Sequence, residues 1–226
     1  MAIKPILFNT EMVLAILDGR KTCTRRLVKP QPDEQYTCPL GYVVHSTEKK
    51  DEGCFGFSVD EHSGSIQYAK LPYQPGDILY IRETWHKYTK RVGNGEGCHL
   101  TEFYGYKASI ANSEDANEPW KPSIHMPKEA ARIWLKVTNV SVERLQDITE
   151  DGAKAEGAKQ CYEQINTIED KPVTYLAEDD KGYYVLGFKS VWNSTIKKSD
   201  IDRYGWDANP WVWVIEFERC EKPKGV

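Results

Sequence analysis

Ten consecutive residues, Asp18-Gly19-Arg20-Lys21-Thr22-Cys23-Thr24-Arg25-Arg26-Leu27, gather four cations, two hydroxyls and one thiol. Such a run makes a poor core, because a charge loses its hydration when it is buried without a partner. It is well suited to an anionic ligand, which cations attract and hydroxyls hydrogen-bond. Side chains of an extended segment alternate faces, so Lys21, Cys23 and Arg25 share one side and Thr22, Thr24 and Arg26 the other. Lys21 and Thr24 therefore meet only where the segment turns or bulges. A basic loop open to solvent is the competing reading. Cys23 stands among cations that lower a thiol pKa, although a nucleophilic role for it is not the preferred one.

Other chemistry-bearing residues are scattered. Arg82 and Glu83 close an apolar strand that leads into Trp85. They can form a structural ion pair, or Arg82 can bind phosphate while Trp85 stacks on a base. His125, between Ile124 and Met126-Pro127, is either a general base or a hydrogen-bonded loop histidine. The seven tryptophans point first to a packed interior, with Trp211 and Trp213 in it and Trp120 and Trp206 open as stacking surfaces. The six cysteines form no C-x-x-C pair, and reduced thiols are expected. Cys38, His45, Cys54 and His62 are spaced too loosely for a structural zinc site, so neither a metal nor a cofactor is expected.

The elements that must position these residues are partly legible. Asn9 or Thr10 can cap a short helix, with Met12, Val13, Ile16 and Leu17 on one face. Gly19 then supplies the left-handed residue that ends it. Tyr73-Gln74-Pro75-Gly76-Asp77 is a turn that feeds a strand over Ile78–Trp85. Ile133, Leu135 and Val137 alternate with polar residues, and the phase slips at Thr138-Asn139 before Val140 and Val142, as at a bulge. In the final strand Trp211, Trp213, Ile215 and Phe217 face one way and Val212, Val214, Glu216 and Glu218 the other. Between these last strands one helix runs from a Thr149 cap through Glu156. A second carries Tyr184, Val185, Phe188, Val191, Trp192 and Thr195. Short strands punctuated by helices predict a small α+β barrel.

Whole-chain properties set the bounds. The 226 residues suit one large domain, or a small one with long insertions. Residues 31–72, 87–122 and 158–182 are polar, rich in turn formers and weakly periodic, and read as loop insertions. The net charge of −4 excludes a uniformly basic nucleic-acid coat, so any polyanion site must be local, around Arg20 to Lys29. No apolar run approaches the roughly 20 residues of a membrane helix, and no secretory signal is read. A cytoplasmic protein with no membrane partner is expected.

Gly19-x-Lys21-x-x-Thr24-x-Arg26 after a short helix resembles the signature of ASCH domains, relatives of the PUA RNA-binding fold. Those domains typically read Gly-x-Lys-x-x-Glu-x-Arg. Here Thr24 fills the glutamate position, as in the small bacterial amidohydrolases of the group that act on N4-acetylcytidine. The chain also resembles the larger, often phage- or prophage-encoded ASCH proteins over nearly its whole length. The shared landmarks are Pro75-Gly76-Asp77, Arg82-Glu83-Thr84-Trp85, Ser123-Ile124-His125-Met126-Pro127 and Gly205-Trp206-Asp207-Ala208-Asn209-Pro210-Trp211. Likeness to the amidohydrolases covers the first motif, the Pro-Gly-Asp strand, Leu145–Glu156 and the final strand.

The resemblance implies a single PUA-like β-barrel domain over residues 1–226, with flanking helices and the three insertions. It also implies a catalytic lysine, threonine and glutamate at Lys21, Thr24 and Glu156. The hydroxyl is a weak nucleophile until a neighbour takes its proton, and a lysine with a depressed pKa can do so. Arg20, Arg25, Arg26, Arg82, Glu83 and Trp85 are the expected binding residues, with RNA or a nucleoside as the ligand. The resulting activity is hydrolysis of the amide of an acylated cytosine. A non-catalytic RNA-binding module of PUA type and a ribonuclease are the alternatives.

Overall fold

In the computed structural model, which describes residues 1–44, 48–62, 64–109, 119–166, 171–177 and 182–225, the chain is a mixture of β-sheets and a few short helices. The first half holds β1 (Ile3–Leu7), α1 (Thr10–Leu17), β2 (Cys23–Leu27), β3 (Cys38–Tyr42), β4 (Cys54–Ser58), β5 (Ile66–Lys70), β6 (Ile78–Arg82), β7 (Trp85–Val92) and β8 (His99–Tyr106). The second holds β9 (Trp134–Arg144), α2 (Glu150–Ala155), β10 (Cys161–Asn166), β11 (Lys171–Leu176), α3 (Tyr184–Thr195), α4 (Ile201–Tyr204) and β12 (Trp211–Cys220). The chain divides into two units, the first comprising Met1–Arg20, Gly76–Val137 and Glu218–Val226, the second Lys21–Pro75 and Thr138–Phe217.

In the first unit β1 pairs parallel with β6, and β6 pairs antiparallel with the start of β9. Pro5 has no N–H to donate and is tolerated because β1 is an outer strand. The Pro-Gly-Asp turn is built as its residues suggest. Gly76 adopts φ 87°, its N–H donates to the Val137 carbonyl at 2.8 Å, and the buried Asp77 carboxylate accepts the Ala2 N–H at 2.8 Å. The single strand expected over Ile78–Trp85 is instead two, because at Glu83 the backbone N–H turns to Met126 Sδ at 3.2 Å. Ile78, Tyr80, Trp85, Met126 and Trp134 form the core of this unit.

Helix α1 forms as its caps dictate. The Asn9 side chain accepts the Met12 N–H at 2.9 Å. At the other end Gly19 (φ 74°) lets the Arg20 N–H reach the Ala15 carbonyl at 2.8 Å and the Gly19 N–H reach Ile16 at 3.1 Å, a Schellman ending.

In the second unit the strand order is β9-β12-β2, which leaves β2 on the edge. β12 is buried on both faces over Trp211–Ile215. Phe57 and Phe55 lie against Trp211 and Trp213, with ring centroids 5.3 and 5.7 Å apart, while Val212 packs with Leu145, Phe188 and Trp192. Burial along β9 slips phase where the pattern predicts, with Thr138 and Asn139 both exposed between buried Val137 and Val140.

The three stretches read as loop insertions carry sheet. β3, β4 and β5 form a three-stranded antiparallel sheet inside 31–72, β7–β8 a hairpin largely within 87–122, and β10–β11 a hairpin inside 158–182. Asn112 to Asn117, Glu169-Asp170 and Glu178-Asp179-Asp180 lie outside the described residues. Among the described residues no sheet closes into a barrel, and no helix is long and apolar enough to cross a membrane.

Candidate functional site

An edge strand leaves every other backbone N–H without a ladder partner. On β2 the Arg25 N–H is such a donor, and the Glu156 carboxylate accepts it, Oε1 lying 2.5 Å away. Local rules place Glu156. Thr149 caps α2 by accepting the Gly152 N–H at 3.0 Å, and Gly157 (φ 79°) ends the helix immediately after Glu156. Lys21 bridges Glu156 backbone to backbone, and the neighbouring Thr22 N–H donates to the Ala155 carbonyl at 2.8 Å. The Lys21 ammonium then reaches Glu156 twice, donating to Oε2 at 2.5 Å and to the carbonyl oxygen at 2.8 Å. The two side chains are 1% and 5% exposed.

Arg25 completes the cluster. Its Nε donates to Glu143 Oε1 at 2.7 Å, and its Nη1 lies 3.5 Å from Glu156 Oε1. Cys23 shares its face, with Sγ 3.7 Å from Nη1, in keeping with strand alternation. Gly152 lets Arg25 approach closely, since a Cβ would stand 3.1 Å from Arg25 Nη2. Thr24 occupies the opposite face of β2, paired with Ile215 and 2% exposed.

Burial sets the electrostatics. It draws the Lys21 amine below the ordinary lysine value of 10.5 and outweighs the opposing pull of Glu156. Burial likewise lowers Arg26, against the attraction of Glu156 and Tyr73. For Arg25 burial acts downward too, but Glu156 and Glu143 overcome it and the pKa rises. Burial and Glu156 push the Cys23 thiol up to about 11 in spite of the nearby cations. The thiol is thus held neutral, while the lysine loses its proton more readily than usual. That combination suits Lys21 to accepting a proton and leaves Cys23 inert as a nucleophile.

Lys21, Arg25, Arg26 and Glu156 come together in the second unit, with Thr24 in the same strand. Arg20 is exposed in the first unit and pairs with Asp18 at 3.1 Å. Arg82, Glu83 and Trp85 belong to a separate constellation in the first unit. Glu83 is 1% exposed and its two oxygens accept Nε and Nη2 of Arg132 at 2.8 and 2.9 Å. Arg82 donates to the Ile124 carbonyl at 3.3 Å, and the Trp85 ring is packed in the core under Lys121. His125 is exposed in a 3-10 turn. Trp206 packs edge-on to Phe188, its centroid 6.3 Å away.

Glu143 and Arg132 were not singled out from the sequence. Each is tied to a partner more than forty residues away, and no local spacing marks such a pair. Among the described residues no three His, Cys, Asp or Glu gather as for a metal. Cys38 pairs with Ser58 at one end of the β3–β4 ladder and Cys54 lies at the other, about 13 Å along the strand. His45 lies outside the described residues. No family model matches the chain, and no curated protein or solved structure matches it.

Proposed function

We propose that the chain is an ASCH-type, PUA-related protein that binds a modified nucleoside or nucleic acid, and that Lys21, Thr24 and Glu156 hydrolyse the amide of an acylated cytosine. The observation that carries this reading is the buried Lys21–Glu156 pair, whose lysine pKa is depressed. As a stabilising device such a pair is inefficient, because desolvation of two charges cancels most of their attraction. Buried, perturbed titratable groups cluster where chemistry is done.

In the proposed reaction the Lys21 amine, once it has released its proton, swings from Glu156 toward the face of β2 that Thr24 occupies and takes the Thr24 hydroxyl proton as the oxygen attacks the acyl carbonyl. The C–N bond then breaks and the proton passes to the leaving cytosine amine. Water hydrolyses the threonine ester, so that one amide and one water become cytosine nucleoside and carboxylic acid. Glu156 orients the lysine, and Arg25 holds Glu156 in place. Arg26 supplies positive charge beside the strand.

A second reading draws on the burial itself. With the Lys21 side chain 1% exposed, the Lys21–Glu156 pair and the Arg25 N–H bond to Glu156 also lock the β2 strand to the end of α2. The protein is then a non-catalytic RNA-binding module of PUA type.

Acetate release from N4-acetylcytidine separates the two. Hydrolysis predicts turnover in the wild type that falls at least a hundredfold in Lys21→Ala and in Thr24→Ala, about the contribution of a positioned general base. A folded, inert wild type contradicts the hydrolase reading and leaves the binding module.

A further inference from the structure

Hairpin β7–β8 has two faces of unlike chemistry. Its register sets His86, Tyr88, Lys90 and Val92 on the same face as Gly105, Phe103, Thr101 and His99. Among the described residues of the ladder, that face carries no carboxylate and no amide side chain. The nearest acid in the ladder, Glu102, is on the other face, bound to Lys87 at 2.7 Å.

Rings run along the face in sequence. Trp120 and His86 have centroids 4.6 Å apart, His86 and Tyr88 5.3 Å, and Tyr88 and Phe103 are stacked at 5.8 Å with 26° between planes. The row begins at Trp120, passes the buried His86 and ends at the stacked pair of Phe103 and Tyr88, the latter 37% exposed. Gly105 makes room for it, since a Cβ there would stand 1.9 Å from His86 Nε2. His86 is 4% exposed, and among the described residues neither ring nitrogen has a hydrogen-bond partner. A histidine retained only for structure normally satisfies at least one nitrogen when buried. Here the ring lies tilted between Trp120 and Tyr88, at 44° and 34° to them.

We propose that this face of the β7–β8 hairpin binds single-stranded nucleic acid, with unpaired bases extending the Tyr88–Phe103 stack and the backbone phosphates meeting Lys90. Only unpaired bases offer free π-faces to rings. The exposed Lys90 ammonium, with no carboxylate beside it in the ladder, matches a phosphate. A sugar also stacks on aromatic rings, but its hydroxyls call for carboxylate or amide partners, which the described ladder residues of this face lack. The surface lies wholly in the first unit and uses neither Lys21 nor Glu156, so it stands or falls apart from the hydrolase reading.

Fluorescence anisotropy of the full chain with labelled oligouridine and oligothymidine tests it. Single strands bind, a duplex of the same length does not compete, and affinity drops as salt rises. Tyr88→Ala and Phe103→Ala each weaken binding about tenfold. Tyr88→Trp retains it, Lys90→Glu flattens the salt dependence, and Lys87→Ala on the opposite face changes nothing. A preference for the uridine strand marks RNA as the natural source, and equal binding marks either polymer. Absence of binding to both strands overturns the proposal. So does binding that survives Tyr88→Ala with an unchanged circular dichroism spectrum, equal competition by duplex, or preferential binding of an oligosaccharide.

Discussion

Two buried carboxylates illustrate how differently one side-chain type is used. Glu83 spends both oxygens on a single guanidinium that itself lies 4.1 Å from the Tyr106 ring centroid. Glu156 divides its oxygens between a lysine amine and a backbone N–H. The first arrangement is a closed pair, so its loss registers in stability. Arg132→Ala should strip the partner from a buried charge and cost about 3–5 kcal/mol. Urea unfolding measures this, and a loss below about 1 kcal/mol would show that water replaces the arginine adequately. At this scale the sequence was informative only where chemistry is local. The cationic run marked Lys21, Arg25 and Arg26, and strand alternation put Cys23 beside Arg25. The partners Glu143 and Arg132 carry no such mark, because they are chosen by tertiary contact, and Glu156 was reached through resemblance to a family motif.

Helices were the legible elements, since caps and period are written within a dozen residues. Asn9, Thr149 and the run from Tyr184 to Thr195 lie where the pattern puts them. The sheets of 31–72, 87–122 and 158–182 were not legible. In β4 the apolar pair Phe55 and Phe57 spans too few residues to establish a period, and it is Trp211 and Trp213 on β12 that make the strand worthwhile. β7 is mostly exposed, and its pairing with β8 is decided by cross-strand partners such as Tyr88 and Phe103. Helix α3 offers a test in which two effects have opposite signs. Propensity alone predicts that Gly187→Ala stabilises the helix by about 1 kcal/mol. A Cβ at that position would stand 1.9 Å from the Lys159 carbonyl oxygen, a backbone atom with little freedom to retreat. Overpacking costs about 1–3 kcal/mol and should prevail. The thermal midpoint of Gly187→Ala is therefore expected to fall, and a rise would mean that α3 shifts freely.

For the whole molecule, the buried cluster links protonation to folding. The folded pKa of Lys21 lies below 10.5, so between those two values the unfolded chain holds a proton that the folded chain has released. In that window the lysine makes stability rise with pH. Cys23 acts oppositely, because its folded value of about 11 exceeds 9.0, and stability falls as pH climbs between them. Whether the cluster does chemistry turns on the lysine, since a permanently charged amine accepts no proton from Thr24. Titration of the Lys21 Cε resonance by carbon-13 NMR, in wild type and in Glu156→Gln, measures this directly. The expected midpoint lies below that of ordinary lysines in the wild type and lower still in Glu156→Gln, where the raising influence of the carboxylate is gone. A wild-type midpoint at or above 10.5 would contradict it, because the ion pair would then prevail over burial and Lys21 could not act as the base.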